Sequence, residues 1–437
     1  MGQRAQIGSP LAQQRSAPEP PQQQRHSNPD ALPSHPVPVR PGLMDSGGSP
    51  PASRPAPVRQ YDKQAKTHKR EPSVVPDQPV TAEELRQLHA AVEANPASNK
   101  TALLYAKKLV EASSVLASEG GRLDPKTTAR NREKYIMDGY KRVKKLVAAG
   151  YPEAQFYLAD AYGQGSMGLE IDTKEAFTLY QAAAKAGHAS AAYRTAVCCE
   201  MGPEEGGGTR RDYAKAVQWY RRAAALGDVA AMFKLGMILL KGLLGNQRNV
   251  GEAHQWLKRA AAGATKDNPH ALHELGLLHE SGNTNPEVRN KVLADDKYAL
   301  ELFQQAAGMG FKQSQFRLGQ AYEYGTLGLP IDNRASISWY SKAAAQGEHQ
   351  AELALSGWYL TGAEGILEHN ETEAYLWARK AAQAEPPLGK ALFAMGYFNE
   401  NGIGCPKNVE EARRWYGRAA GKSSLYCIGQ CACGRVC

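Results

Sequence analysis

Three groups of residues have types and spacings that could do chemistry. His270, His273 and His279 lie close together, and the first two stand one helical turn apart, as a metal-ligating pair would. No third ligand with a clear orientation follows, so packing or solvent contact is the expected role. The run Gly202-Pro203-Glu204-Glu205-Gly206-Gly207-Gly208-Thr209-Arg210-Arg211 has the glycine content of a phosphate-cradling loop. It lacks the Gly-Lys-Ser/Thr ending and follows a helical pattern rather than a strand, so it is expected to be a flexible loop. Cys427, Cys431, Cys433 and Cys437 could bind zinc as thiolates, carry acyl chains or remain reduced in an unstructured tail. Their spacing is unusual for zinc, and no histidine is near. No Ser-His-Asp, Cys-His or paired-carboxylate arrangement has members that its context would bring together. No catalytic, cofactor-binding or metal residue is assigned, and the expected chemistry is recognition.

The elements that would position these residues repeat seven times. A small residue opens each unit, at Ala154, Ala191, Ala231, Ala271, Ser314, Ala351 and Ala391, with steps of 37, 40, 40, 43, 37 and 40 residues. Five positions on stands a second small residue: Ala159, Ala196, Gly236, Gly276, Gly319, Ser356 or Gly396. Eleven positions on stands Gly165, Gly202, Gly242, Gly282, Gly325, Gly362 or Gly402. This period predicts a solenoid of helix-turn-helix units. A large residue at plus four beside the small one at plus five makes a knob and a notch on one helical face. The plus-eleven glycines are expected to end the first helix in the left-handed region.

A second helix follows a loop of variable length. It carries a small residue, an apolar or aromatic pair three and four positions on, and Ala-Ala beyond. Five of the six tryptophans occupy one position of this helix: Trp219, Trp256, Trp339, Trp377 and Trp415. A row of aromatic rungs could stack sugars or bases. Its register beside Ala-Ala favours packing between the two helices.

Composition sets the flanks apart. Residues 1–80 hold 16 of the 26 prolines and few large apolar residues. They are expected to form a disordered tail, because little burial would offset an ordering cost of roughly 1–2 kcal/mol per residue. Residues 81–150 read as a helical N-terminal cap or degenerate repeat, 151–420 as the seven repeats, and 421–437 as a disordered cysteine-containing tail. The net charge of +9 is +4 in 1–80, +5 in 81–150, −2 in 151–420 and +2 in 421–437. A nearly neutral array speaks against nucleic acid. The basic flanks, including Lys141, Arg142, Lys144 and Lys145, could touch an acidic membrane or partner, although a solvated cap face explains them as well. No signal peptide or membrane-spanning run is visible, so the expectation is a cytoplasmic, non-secreted protein. The seven cysteines do not form a disulfide framework.

The unit A-x3-L-G-x2-Y-x2-G, a loop, then A-x2-W-Y-x2-A-A-x2-G resembles the Sel1-like repeat, a relative of the tetratricopeptide repeat, from Ala154 to Ala420. The runs Gln155–Gly163, Asn268–Gly276, Ile331–Ser336 and Gly347–Tyr359 are similar to the fungal chitin synthase activator family, as is the Pro-rich tail before the array. The resemblance implies an all-α fold, a right-handed α/α solenoid. It also implies a non-enzymatic adaptor that binds a chitin synthase on the concave repeat surface. Such an adaptor would activate or localise the synthase at the cytoplasmic face of the plasma membrane or septum, with no cofactor and no small-molecule substrate. The alternative is a Sel1-repeat scaffold for another complex, in quality control or signalling. Members of that family commonly end in a prenylated cysteine box. The last four residues here are Gly434-Arg435-Val436-Cys437, which predicts no prenylation.

Overall fold

The computed structural model describes residues 79–118, 121 and 123–422. All of them belong to one compact unit, residues 54–437. The expected disorder of the N-terminal tail and the four C-terminal cysteines fall outside the described residues. Among the described residues there are eighteen α-helices and no strand. No helix is long and apolar enough to cross a membrane.

Three helices precede the repeats: α1 (Ala82–Ala94), α2 (Asn99–Val115) and α3 (Pro125–Ala148). Seven pairs follow. They are α4 (Pro152–Gln164) with α5 (Thr173–Lys185), α6 (Ala189–Met201) with α7 (Tyr213–Ala225), and α8 (Val229–Lys241) with α9 (Val250–Ala262). Next, α10 (His270–His279) pairs with α12 (Asp296–Gly308), with the short α11 (Pro286–Arg289) between them. The last three are α13 (Lys312–Tyr324) with α14 (Asn333–Ala345), α15 (His349–Thr361) with α16 (Glu371–Ala382), and α17 (Gly389–Asn401) with α18 (Val409–Lys422). The main contacts join each helix to its neighbour in the chain, as a solenoid requires.

Two local devices hold every pair together whatever the loop length. Each second helix starts from an Asp or Asn: Asp172, Asp212, Asn249, Asp295, Asp332, Asn370 or Asn408. Each side chain accepts from backbone N–H groups of the first turn, which otherwise lack partners. The backbone N–H of the same residue donates to the plus-eight carbonyl of the preceding first helix, that of Tyr162, Cys199, Leu239, His279, Tyr322, Tyr359 or Asn399. The end of each loop is therefore tied to the helix before it, so loops of different length return to the same place.

The plus-eleven glycines do not all behave alike. Gly165, Gly242, Gly325 and Gly402 cap their helices in the left-handed region. Gly202 and Gly362 have positive φ but extended ψ. Gly282 corrects the expectation, since its φ is not positive. Here α10 ends two residues earlier than its counterparts, with an extended Glu280 as its cap. The Glu280 carboxylate, largely buried, pairs with Arg317 and turns the chain out of the helix before Gly282 is reached.

The notch residues decide how closely the two helices approach. A Cβ on Gly319 would stand 2.6 Å from the Tyr340 ring, one on Gly276 2.7 Å from Phe303, and one on Gly236 2.8 Å from Leu257. The Gly396 notch is closed in the same way by Tyr416. Gly319→Leu should therefore destabilise by about 1–3 kcal/mol through overpacking. Gly319→Ala should cost much less, because Ala159 and Ala196 occupy the notch under Tyr180 and Tyr220, and alanine gains about 1 kcal/mol of helix propensity. Equilibrium urea unfolding of the two variants checks the contrast; equal stabilities would refute the notch.

Candidate interaction surface

The tryptophans pack on the core as expected, but mostly at its edge. Only Trp377 is buried; Trp219, Trp256, Trp339 and Trp415 are half-buried at the rim of the core. A cation three residues on covers each ring: Arg222, Arg259, Lys342, Lys380 and Arg418, at 5.5, 4.9, 4.2, 4.9 and 4.5 Å. The next residue is the deep one. Tyr220, Leu257, Phe303 and Tyr340 are all buried to about the last per cent. Adjacent residues on a helix point about 100° apart, so only one of the pair can enter the notch. In the sixth unit that residue is Ala378, too short to fill the space, and Trp377 is the one that is buried.

The buried tyrosines are anchored by carboxylates of the first helix. The Tyr220 hydroxyl donates to Glu200 at 2.5 Å, Tyr340 to Glu323 at 2.5 Å and Tyr416 to Glu400 at 2.8 Å; Tyr180 donates to Asp160. Burial first, and the carboxylate second, push the Tyr220 and Tyr340 phenols well above their ordinary range. These carboxylates were missed by motif reasoning, although a signal exists. Glutamate stands at plus nine in four units, as Glu200, Glu280, Glu323 and Glu400; three of these meet a tyrosine, whereas Glu280, in the unit with Phe303, pairs with Arg317 instead.

The same first-helix face carries contacts from unit to unit. Glu200 also receives Lys234 of the next unit at 2.9 Å, and Glu280 receives Arg317. Aromatic rings also bridge neighbouring units: Phe156, at plus two, stacks on His188 at 4.6 Å, while Phe233, also at plus two, and Phe311, three residues before the fifth unit start, flank His270 at 5.5 and 4.9 Å. Lys380 and His349 close on Glu352, a fully buried carboxylate, at 2.9 and 2.8 Å. What remains open along the first helices differs between units: Arg194, His270, Gly357 and, in the last unit, Phe393 and Tyr397 are exposed. Among the described residues these open positions are dispersed along the face rather than gathered at one point.

The residues first considered for chemistry are separated. His273 faces Ser314 at 2.9 Å and packs on Phe303 and Phe311, and burial lowers its pKa to about 4. His279 meets His254 instead, at 3.0 Å. Among the described residues no group of three or more His, Cys, Asp or Glu is placed to hold a metal. The run 202–211 is not the free loop expected. Its Gly208 lies against the Thr173 carbonyl of the preceding unit and Gly207 against the Cys198 carbonyl, so close that neither tolerates a side chain. In the basic cap, Arg142 rests on the Tyr105 ring at 4.6 Å, while Lys141, Lys144 and Lys145 are exposed.

Comparison with known proteins fits this architecture. A model of the Sel1 repeat matches residues 152–188, 189–228, 229–264, 269–311, 312–348, 349–385 and 389–424. The chain is 38% identical over 331 residues to the chitin synthase regulator SKT5 of Saccharomyces cerevisiae, covering 75% of this chain and 46% of that one. It is 42% identical over 269 residues to chitin synthase regulatory factor 3 of Schizosaccharomyces pombe, covering 62% of this chain and 28% of that one. The chain thus spans less than half the length of these two relatives. Among solved structures, a Sel1 repeat protein from Oxalobacter formigenes superposes with a TM-score of 0.51 at 24% identity, over 78% of this chain and 87% of that one, which speaks for the fold.

Proposed function

We propose, from the premise that this chain belongs to the Sel1 repeat family, that it is a non-enzymatic adaptor which binds a chitin synthase and activates or positions it. The observation that carries this reading is the similarity to two proteins named as chitin synthase regulators, at 38% and 42% identity across most of the array. The physical support is the first-helix face. Its glycines, buried tyrosines and unit-to-unit pairs are spent on the scaffold, which leaves Arg194, Phe393 and Tyr397 to differ between units and select a partner. On this reading the synthase lies along the first helices, the proposed concave side. The basic cap residues Lys141, Lys144 and Lys145 face the acidic inner leaflet of the plasma membrane or septum.

The test is co-purification of the full chain with a fungal chitin synthase, with chitin content measured after deletion. Association and reduced chitin are expected, and Arg194→Glu combined with Phe393→Asp should weaken the association at least tenfold while the array stays folded. No association together with unchanged chitin would overturn the proposal.

A further inference from the structure

A cavity of about 510 Å³ lies between the second helices α5 and α7 and the loop 202–211, with Cys199 of α6 also in its lining. Its walls are of two kinds. Phe177 and Trp219 supply apolar surface, while Arg210, Arg211 and Lys215 supply charge. The lining has one carboxylate, Asp212, and that is committed: it accepts the Lys215 N–H at 2.9 Å and pairs with the Lys215 ammonium at 3.2 Å. Arg211 is committed too. It donates to the Met201 carbonyl at 3.0 and 2.7 Å and to Glu205 at 2.7 Å, and so fixes the loop. Arg210 is exposed and has no carboxylate within ion-pair distance among the described residues. The loop backbone is tied down at two points: Gly207 donates to the Gly202 carbonyl at 2.7 Å, and Gly208 is seated on the preceding unit. The pocket is thus partly apolar, and with Arg211 paired to Glu205 and Lys215 to Asp212, Arg210 is its one cation without a carboxylate partner among the described residues. Its volume suits one or two peptide side chains.

We infer that this cavity is a docking site for an acidic peptide segment of a partner protein, one that presents an aromatic or aliphatic side chain flanked by carboxylates. The apolar side chain would lie between Phe177 and Trp219, and a carboxylate would meet Arg210, with Lys215 at the rim. The charge complementarity is specific to this unit, because no other unit carries the Gly202–Arg211 insertion. The site shares no residue with the open first-helix positions and does not rest on the synthase reading.

The probe is a fluorescein-labelled peptide, Glu-Glu-Phe-Glu-Glu-Leu-Glu, titrated with the full chain and followed by anisotropy. Saturable binding is expected, with at least tenfold weakening for Arg210→Glu and for the same peptide with Gln in place of Glu. Arg259→Glu, a charge reversal elsewhere on the second helices, should leave binding unchanged. Arg210 is exposed, so its variant should keep the parent melting curve, and loss of binding then reports the site. Absence of saturable binding would overturn the inference, as would equal binding by Arg210→Glu. Arg210-dependent binding of phosphatidylserine vesicles without peptide binding would overturn it in favour of lipid.

Discussion

Tyr340→Ala is expected to destabilise the array by about 3–5 kcal/mol, the range for truncating a buried aromatic side chain. The ring is 1% exposed, fills the Gly319 notch and packs near Phe316 at 5.6 Å between ring centres. Its removal leaves a hole that a glycine backbone cannot fill. Tyr340→Phe keeps the packing and loses only the hydrogen bond to Glu323, worth roughly 1.5–3 kcal/mol for a charged partner. The lower end applies, because Glu323 is only half-buried and water can replace the phenol. Tyr340→Leu should fall between the two, since Leu257 fills the equivalent notch over Gly236. Urea unfolding read by circular dichroism measures the series. Hydrogen exchange adds a spatial check: protection should fall first in α13 and α14, because stability in a solenoid is a sum of units and nearest-neighbour contacts. Uniform loss along the chain, or a phenylalanine variant as weak as the alanine one, would show that the notch is not where the energy lies.

Lys380→Met is expected to cost about 3 kcal/mol, although the lysine itself is partly exposed. The cost arises at Glu352, whose side chain is wholly buried and meets Lys380 at 2.9 Å and His349 at 2.8 Å. Methionine keeps the stem over Trp377 but leaves a buried carboxylate with one partner fewer, and breaking a buried pair costs about 3–5 kcal/mol. The lower end is expected because His349 remains. Glu352→Gln in the Lys380→Met background should restore most of the loss, since the amide needs no counter-charge. A double-mutant cycle measures the coupling. Additive effects would mean that solvent, not Lys380, compensates the carboxylate.

Both predictions concern positions that periodicity points to without resolving. The sequence shows that Trp339 and Tyr340 belong to the packed stripe of one helix, and their register is plain from the repeat. It does not show which of two neighbouring aromatics enters the notch. That depends on the crossing of the two helices, which the missing Cβ of Gly319 permits. The Tyr–carboxylate pairs were legible only in part: a glutamate recurs at plus nine in the units with Tyr220, Tyr340 and Tyr416, but also, as Glu280, in the unit with Phe303. Asp160 pairs with Tyr180 from a different register, and only the fold reveals it. The loop 202–211 reads as free because glycine usually marks freedom, yet here its glycines mark contact with the preceding unit.

By itself, the sequence determined the period, the all-α class, the seven units and most of the glycine turns. These are local: each follows from the backbone preference of one residue or the spacing along one helix. The tertiary structure decided which aromatics are buried, which carboxylates are paired and which loop is tied down. Those outcomes depend on residues 15 to 40 positions apart meeting at one place, and a one-dimensional spacing rule carries no information about the angle at which they meet.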